Sequence, residues 1–95
     1  METAAAATPL FDPGMLVSTA NAAHRLLTED VMICLWRHAT GDWGDVCEED
    51  KKSNEIALCL GERLVSAYRD GNGTVFWIIT EWDRSLTTVL LPEDY

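Results

Sequence analysis

RLVSAYRDGNGTVFWIITEWDRSLTTVLL, residues 63–91, decides the fold. Its apolar residues recur with period two rather than the helical 3.6. From Arg63 to Arg69, Leu64, Ser66 and Tyr68 fall on one side and Val65 and Ala67 on the other. Asp70-Gly71-Asn72-Gly73 is a hairpin turn, because Gly and Asn accept positive φ. Thr74 to Trp82 is β-branched and aromatic with both faces apolar, which predicts a central strand. Asp83-Arg84-Ser85 makes a second turn, Leu86 to Leu91 a third strand, and Pro92 stops it. The segment therefore reads as a three-stranded antiparallel meander.

A bare three-stranded sheet buries too little to stand alone, so helices must cover one face. Upstream, Asp12-Pro13-Gly14 is a turn and Met15-Leu16-Val17 a candidate short strand. Ser18 or Thr19 can cap a first helix over Ala20–Leu27. Thr28, followed by Glu29 and Asp30, opens a second helix running to about His38 and ended by Gly41. Val31, Leu35 and His38 share one stripe of it; Ile33 and Trp36 share another. Glu48, Glu49 and Asp50 open a third helix, with Gly61 as its natural stop and Ile56, Cys59 and Leu60 on the expected inner face, close to Ala57. The expected fold is α+β: an antiparallel sheet of three strands, four if Met15–Val17 joins it, with two to three helices on one face. Trp77, Ile79, Val65, Val89 and Ile56 are the expected core, and burial of each contributes on the order of 1.5–3 kcal/mol. Chain entropy offsets much of that, so the domain is expected to be marginal, and a dimer would help it. Residues 1–10 read as a loose tail and 11–95 as one domain.

Composition narrows the function. The chain has 95 residues and a net charge of −9, from seven basic and sixteen acidic side chains. That balance argues against direct nucleic-acid binding, which needs a basic face to displace phosphate counterions, and against an anionic membrane. No apolar run approaches the ~20 residues that cross a bilayer, and the N-terminus lacks a signal-like basic and apolar pair of regions. A cytoplasmic location is expected. Cys34, Cys47 and Cys59 are odd in number and lack CxxC spacing, which fits buried free thiols in a reducing compartment. No GxGxxG or phosphate loop is present, and no cofactor is expected.

Four constellations could carry function. Asp42, Asp45, Glu48, Glu49 and Asp50 are five acids within nine residues. They read either as an ordinary helix start with a polar loop or as a surface imitating nucleic-acid phosphates; Lys51 and Lys52 dilute the patch. Trp43, inside GDWGD, is either an exposed interface anchor or a core plug. Glu81 and Asp83 flank Trp82 and could hold a divalent cation or act as acid and base, unless Arg84 neutralises them. His38 with Asp42 or Asp45 could form a general base, with Cys47 as its nucleophile or as a shared metal ligand. Its plainer role is to close a helix by satisfying last-turn carbonyls.

RHATGDWGD (37–45), Asp50 with Asn54, ALCLGERLVSAY (57–68) and WIITEWDRSLTTVLLPEDY (77–95) together resemble a family of short proteins carried by plasmids, phages and integrated elements. The family pattern runs RHxxGDWG, then ED, an Asn, a GR-hydrophobic-hydrophobic-SxY segment, and ITExDRSxTTxLLPEEY. FDPGMLVST (11–19) is similar to its usual opening, so the resemblance covers about residues 11–95. Members are often labelled hypothetical or as a subunit of a type I restriction enzyme, although 95 residues cannot hold a methyltransferase domain. The chain departs from the pattern at Trp82 and Cys47. The resemblance implies a mobile-element setting, where small acidic proteins often inhibit host defence and some mimic DNA. Arg37, His38, Asp42, Asp45, Asp50, Asn54, Ser66, Glu81, Asp83, Arg84 and Thr87 match its polar positions. They form either a network locking loop 39–47 onto the sheet or a site.

The leading expectation is an acidic inhibitor of a host defence complex, a CRISPR effector or restriction nuclease. Its partner would be a basic nucleic-acid-binding protein, met through Asp42, Trp43, Asp45, Glu48, Glu49, Asp50, Glu81 and Asp83. The alternatives are a small hydrolase or metal-dependent enzyme using His38/Asp45 or Glu81/Asp83, and a non-catalytic accessory module that dimerises through a sheet edge.

Overall fold

The computed structural model describes residues 8–95. Most of the tail expected at the N-terminus lies outside the described residues, but Leu10 is tied down: its N–H donates to Ala39 O at 2.8 Å. In chain order come β1 (Met15–Ser18), α1 (Ala20–Arg25), α2 (Thr28–Ala39), α3 (Glu48–Leu60), β2 (Leu64–Arg69), β3 (Val75–Thr80) and β4 (Leu86–Leu90), then a 3-10 turn over Pro92–Asp94. The α+β class and the antiparallel β2-β3-β4 meander are as the alternation predicts. One feature differs. Met15–Ser18 does join the sheet, but parallel to β4, giving a mixed sheet of order β1-β4-β3-β2.

Local chemistry sets the element ends. The Thr19 hydroxyl accepts from Ala22 N–H and caps α1. Glu48, Glu49 and Asp50 occupy the first turn of α3, where carboxylates suit the positive dipole end, and α3 stops at Gly61. On the helix-covered face of the sheet, Leu64, Ser66, Tyr68, Phe76, Ile78, Thr80, Thr87 and Val89 are all buried. One apolar cluster gathers Ala22, Leu26, Cys34, Tyr68, Phe76, Ile78, Val89 and Leu91. A second gathers Trp43, Ala57 and Leu64, with Phe11, Val46 and Leu58 against them.

Several packing expectations are corrected. Val89 and Ile79 are buried, whereas Val65 and Trp77 are half-buried on the far face. Ile56 and Leu60 are 55% and 66% exposed, and Cys59 is exposed too. The buried positions of α3 are Asn54 and Ala57. The reason is where α3 sits. It runs along the edge of β2, not over the face of the sheet, and an edge needs hydrogen-bonding groups more than a wide apolar stripe. Asn54 supplies them: its Nδ2 donates to Val65 O (2.8 Å) and its Oδ1 accepts from Val65 N–H (3.1 Å). Of the cysteines, Cys34 alone is buried; Cys47 and Cys59 are exposed, against expectation.

Candidate functional site

His38 anchors the most ordered polar constellation. It sits in the last turn of α2, yet its ring does not turn back to that helix's carbonyls. It is 1% exposed and points to the sheet, with Nδ1 2.6 Å from Ser66 Oγ and Nε2 2.9 Å from Thr80 Oγ1. Thr80 meets Thr87 at 2.7 Å, and Thr87 donates to Pro13 O at 2.7 Å. Counting protons orders the whole chain. A carbonyl only accepts, so Thr87 spends its proton on Pro13 and must accept from Thr80. Thr80 then accepts from His38 Nε2–H; burial keeps the ring neutral, so Nδ1 accepts from Ser66. His38 is thus a neutral imidazole of one tautomer, and its network joins α2, β2, β3, β4 and the segment before β1. Burial, with the positive Arg84 nearby, lowers its pKa from 6.5 to about 4. Phe11 and Trp43 close over it edge-on, with ring centroids 5.5 and 5.7 Å away.

The RHATGDWGD loop is clamped by the same logic. Arg37 pairs with Asp42 through Nε (2.7 Å) and Nη2 (3.2 Å), and the guanidinium lies 4.8 Å over the Tyr68 ring. This pairing holds the Asp42 carboxyl below its usual range. Tyr68 OH donates to Asp42 O, and Asp42 Oδ1 accepts from Gly44 N–H. The loop then runs beside β2 as a short parallel bridge: Ala67 N–H donates to Trp43 O, and Asp45 N–H donates to Ala67 O. Gly44 has φ +74°, and a Cβ there would collide with Ala67 O and the Tyr68 ring. Between them, this loop and Asn54 satisfy the outward backbone groups of Val65 and Ala67, so the β2 edge is closed over that stretch.

The eight expected partner-facing residues therefore separate. Trp43 is only 3% exposed, with its indole N–H donating to Glu55 (2.8 Å); it fills the core and presents no ring to a partner. Asp42 is bound by Arg37. Glu81 pairs with Arg63 at 3.4 Å, and Asp83 accepts from the Ser85 N–H and hydroxyl, closing its own turn. Arg84 neutralises neither. Its guanidinium gathers the carbonyls of Ala57, Glu62, Glu81 and Trp82, which ties the β3–β4 turn to the C-terminal end of α3. Glu81 and Asp83 thus lie at one end of α3 and Glu48–Asp50 at the other, separated by a helix of ~20 Å. The acids do not form one continuous face.

Asp45, Glu48, Glu49 and Asp50 remain exposed together. Lys51 reaches Glu48 at 3.3 Å; Asp45, Glu49 and Asp50 have no ion pair among the described residues. Further along the same helix, beyond Lys52, Ser53 and Glu55, the large apolar side chains Ile56 and Leu60 are exposed, and Trp82 is exposed in the turn that Arg84 holds there. Sequence reasoning missed this apolar end because it placed Ile56 and Leu60 in the core. It also missed Arg63 and Glu55 as partners of Glu81 and Trp43, which nothing in their spacing signals.

Neither catalytic pairing is assembled. Both His38 nitrogens are taken by hydroxyls, not by Asp45, which is exposed, and Glu81 and Asp83 have separate partners. No group of three or more His, Cys, Asp or Glu side chains placed to hold a metal occurs among the described residues, and no helix there is long and apolar enough to cross a membrane. No protein-family model, curated protein or solved structure matches the chain.

Proposed function

We propose that the protein is a binding module whose α3 surface docks on the basic nucleic-acid-binding groove of a host defence complex, a CRISPR effector or a restriction nuclease, and excludes nucleic acid by competition. One observation carries this reading. Asp45, Glu49 and Asp50 have no ion pair among the described residues, while four of the five arginines are spent elsewhere: Arg25 on Glu93, Arg37 on Asp42, Arg63 on Glu81 and Arg84 on carbonyls. Asp45, Glu49 and Asp50 therefore keep their charge available to a partner. Ile56 and Leu60, on the same helix, supply apolar area of the kind that holds an encounter complex once charge has steered it together. Asp42, Trp43, Glu81 and Asp83 are not part of this surface; their bonds are internal.

The test has two arms. In cells, the protein should protect incoming plasmid DNA from restriction or CRISPR interference. In vitro, reversing Glu48, Glu49 and Asp50 to Lys should weaken binding to the affected complex by ~10-fold or more at low salt. Full protection by the reversed variant refutes the reading.

A further inference from the structure

The sheet has two edges, and they are treated differently. The β2 edge is closed by the 43–45 loop and Asn54. The β1 edge carries no further strand among the described residues. Met15 and Thr19 donate their N–H groups to Ser85 and Val89 on the β4 side. Backbone direction alternates along a strand, so Leu16 and Ser18 turn their N–H and C=O outward, away from the sheet. β1 is short, four residues, but MLVS carries no charge, no proline and no bulge to blunt its edge.

We propose that β1 pairs antiparallel with β1 of a second copy, across a two-fold axis at Val17, joining two four-stranded sheets into one of eight. This register pairs all the outward groups of Leu16 and Ser18 with one another; placing Leu16 or Ser18 opposite its own counterpart would form only two such bonds within the strand. Leu16 faces Ser18 of the other copy, each exchanging N–H and C=O, and symmetry repeats the pair, making four hydrogen bonds. Val17 faces its own counterpart as a non-hydrogen-bonded pair.

The side chains fit the same register. Leu16 and Ser18 lie on the helix-covered face, beside Thr87 and Val89. Leu16 is 50% exposed, and Met32 and Trp36, which share its groove of about 210 Å³, are 57% and 47% exposed. A second groove, of about 200 Å³, opens at Ser18 and is lined by Ala22, Ala23 and Leu26. Placing Leu16 of one copy opposite Ser18 of the other stands its side chain over that second groove, and symmetry fills both. Charge permits the contact. The acidic start of α3 lies by β2, three strand spacings or ~14 Å across the sheet from β1.

An interface built on a four-residue edge lies at the small end for a specific contact, so a dissociation constant of ~1–100 μM is expected. The test uses the full chain with Cys47 and Cys59 changed to Ser, so that these exposed thiols do not cross-link. In a non-hydrogen-bonded antiparallel pair the Cβ atoms lie close enough for a disulfide. Val17→Cys should therefore cross-link to a dimer under mild oxidation. Met15→Cys should not, because its counterpart is ~14 Å away along the strands. In sedimentation equilibrium the parent chain should show a weight-average mass that rises with concentration from 10.6 kDa toward twice that value, and is at least ~1.5 times it at ~100 μM. Leu16→Pro, which removes an outward N–H and spares the β1–β4 ladder, should shift dimerisation weaker by ~10-fold or more, as should Leu16→Lys if the proline variant does not fold. A monomer at that concentration overturns the proposal. So does cross-linking of Met15→Cys equal to that of Val17→Cys, or mass gained only by capture of another protein's strand.

Discussion

Acidification should unfold this protein through His38 before it does so through carboxylates. In the folded chain His38 is neutral, buried and bonded at both nitrogens, and its pKa is lowered to about 4; in the unfolded chain it titrates near 6.5. A group whose folded pKa is depressed contributes stability that is fully present above the unfolded pKa. That stability is lost as pH falls toward the folded one, because only the unfolded state takes up the proton. At ~1.4 kcal/mol per pH unit the whole span amounts to ~3 kcal/mol, a large part of the 5–15 kcal/mol typical of a domain. Asp42, Asp83 and Asp94 also have lowered pKa values, through Arg37, Ser85 and Thr19 in turn. Their contributions begin to fade only near pH 5, about one unit above the 3.8 of an unperturbed Asp, so the fall between 6.5 and ~5 belongs to His38. Urea unfolding followed by tryptophan fluorescence, repeated from pH 8 to 4.5, should show stability constant down to about 6.5 and then falling by ~2 kcal/mol by pH 4.5. His38→Gln should be less stable at pH 7 and should lose the slope. A wild-type curve flat to pH 4.5, or equal slopes in the two proteins, refutes the neutral buried imidazole and the proton ordering built on it.

Other substitutions probe the clamps around it. Gly44→Ala meets backbone and a tyrosine ring at φ +74° and should cost more than ~2 kcal/mol, whereas Gly73→Ala, at φ +81° with nothing near its Cβ, should cost ~1 kcal/mol; thermal melts compare the two. Asn54→Leu leaves the Val65 N–H and C=O unpaired and should cost ~2–3 kcal/mol, with faster hydrogen exchange at Val65 and a gain in aggregation from the opened edge. Arg84 holds φ +61°, which glycine adopts freely, so Arg84→Gly should be less destabilising than Arg84→Ala although both release the α3 carbonyls.

The meander was readable because DGNG and DRS punctuate strands whose alternation is plain, and the helix starts because acids or a threonine stand at each. The parallel β1–β4 pairing was not, since four residues carry no mark of their partner. The inner face of α3 misled because hydrophobicity was taken to mean burial. A helix lying along a strand edge buries Ala57 for closeness and Asn54 for its amide, and leaves Ile56 and Leu60 outside. Ser66 and Thr87 stand out in the sequence only through the family resemblance, and Thr80 has no mark at all beyond its place in a strand. Only the arrival of His38 from α2 shows why three hydroxyls belong inside a sheet.

The free edge and the acidic helix lie on opposite sides of the sheet, and that separation makes their effects distinguishable. In an eight-stranded sheet centred on Val17 the two β2 strands stand seven spacings or ~34 Å apart, each with an α3 beside it. Two acidic surfaces so placed bind a target with two basic grooves far more tightly than one does, and a target with one groove no more tightly. Leu16→Lys should then reduce inhibition of a paired target steeply while leaving the salt dependence of each contact unchanged. Reversal of Glu48, Glu49 and Asp50 should lower the salt dependence and leave the dimer intact. If instead Leu16→Lys alters the salt dependence, the edge itself touches the target, and the assignment of β1 to a second copy fails while the reading of α3 stands.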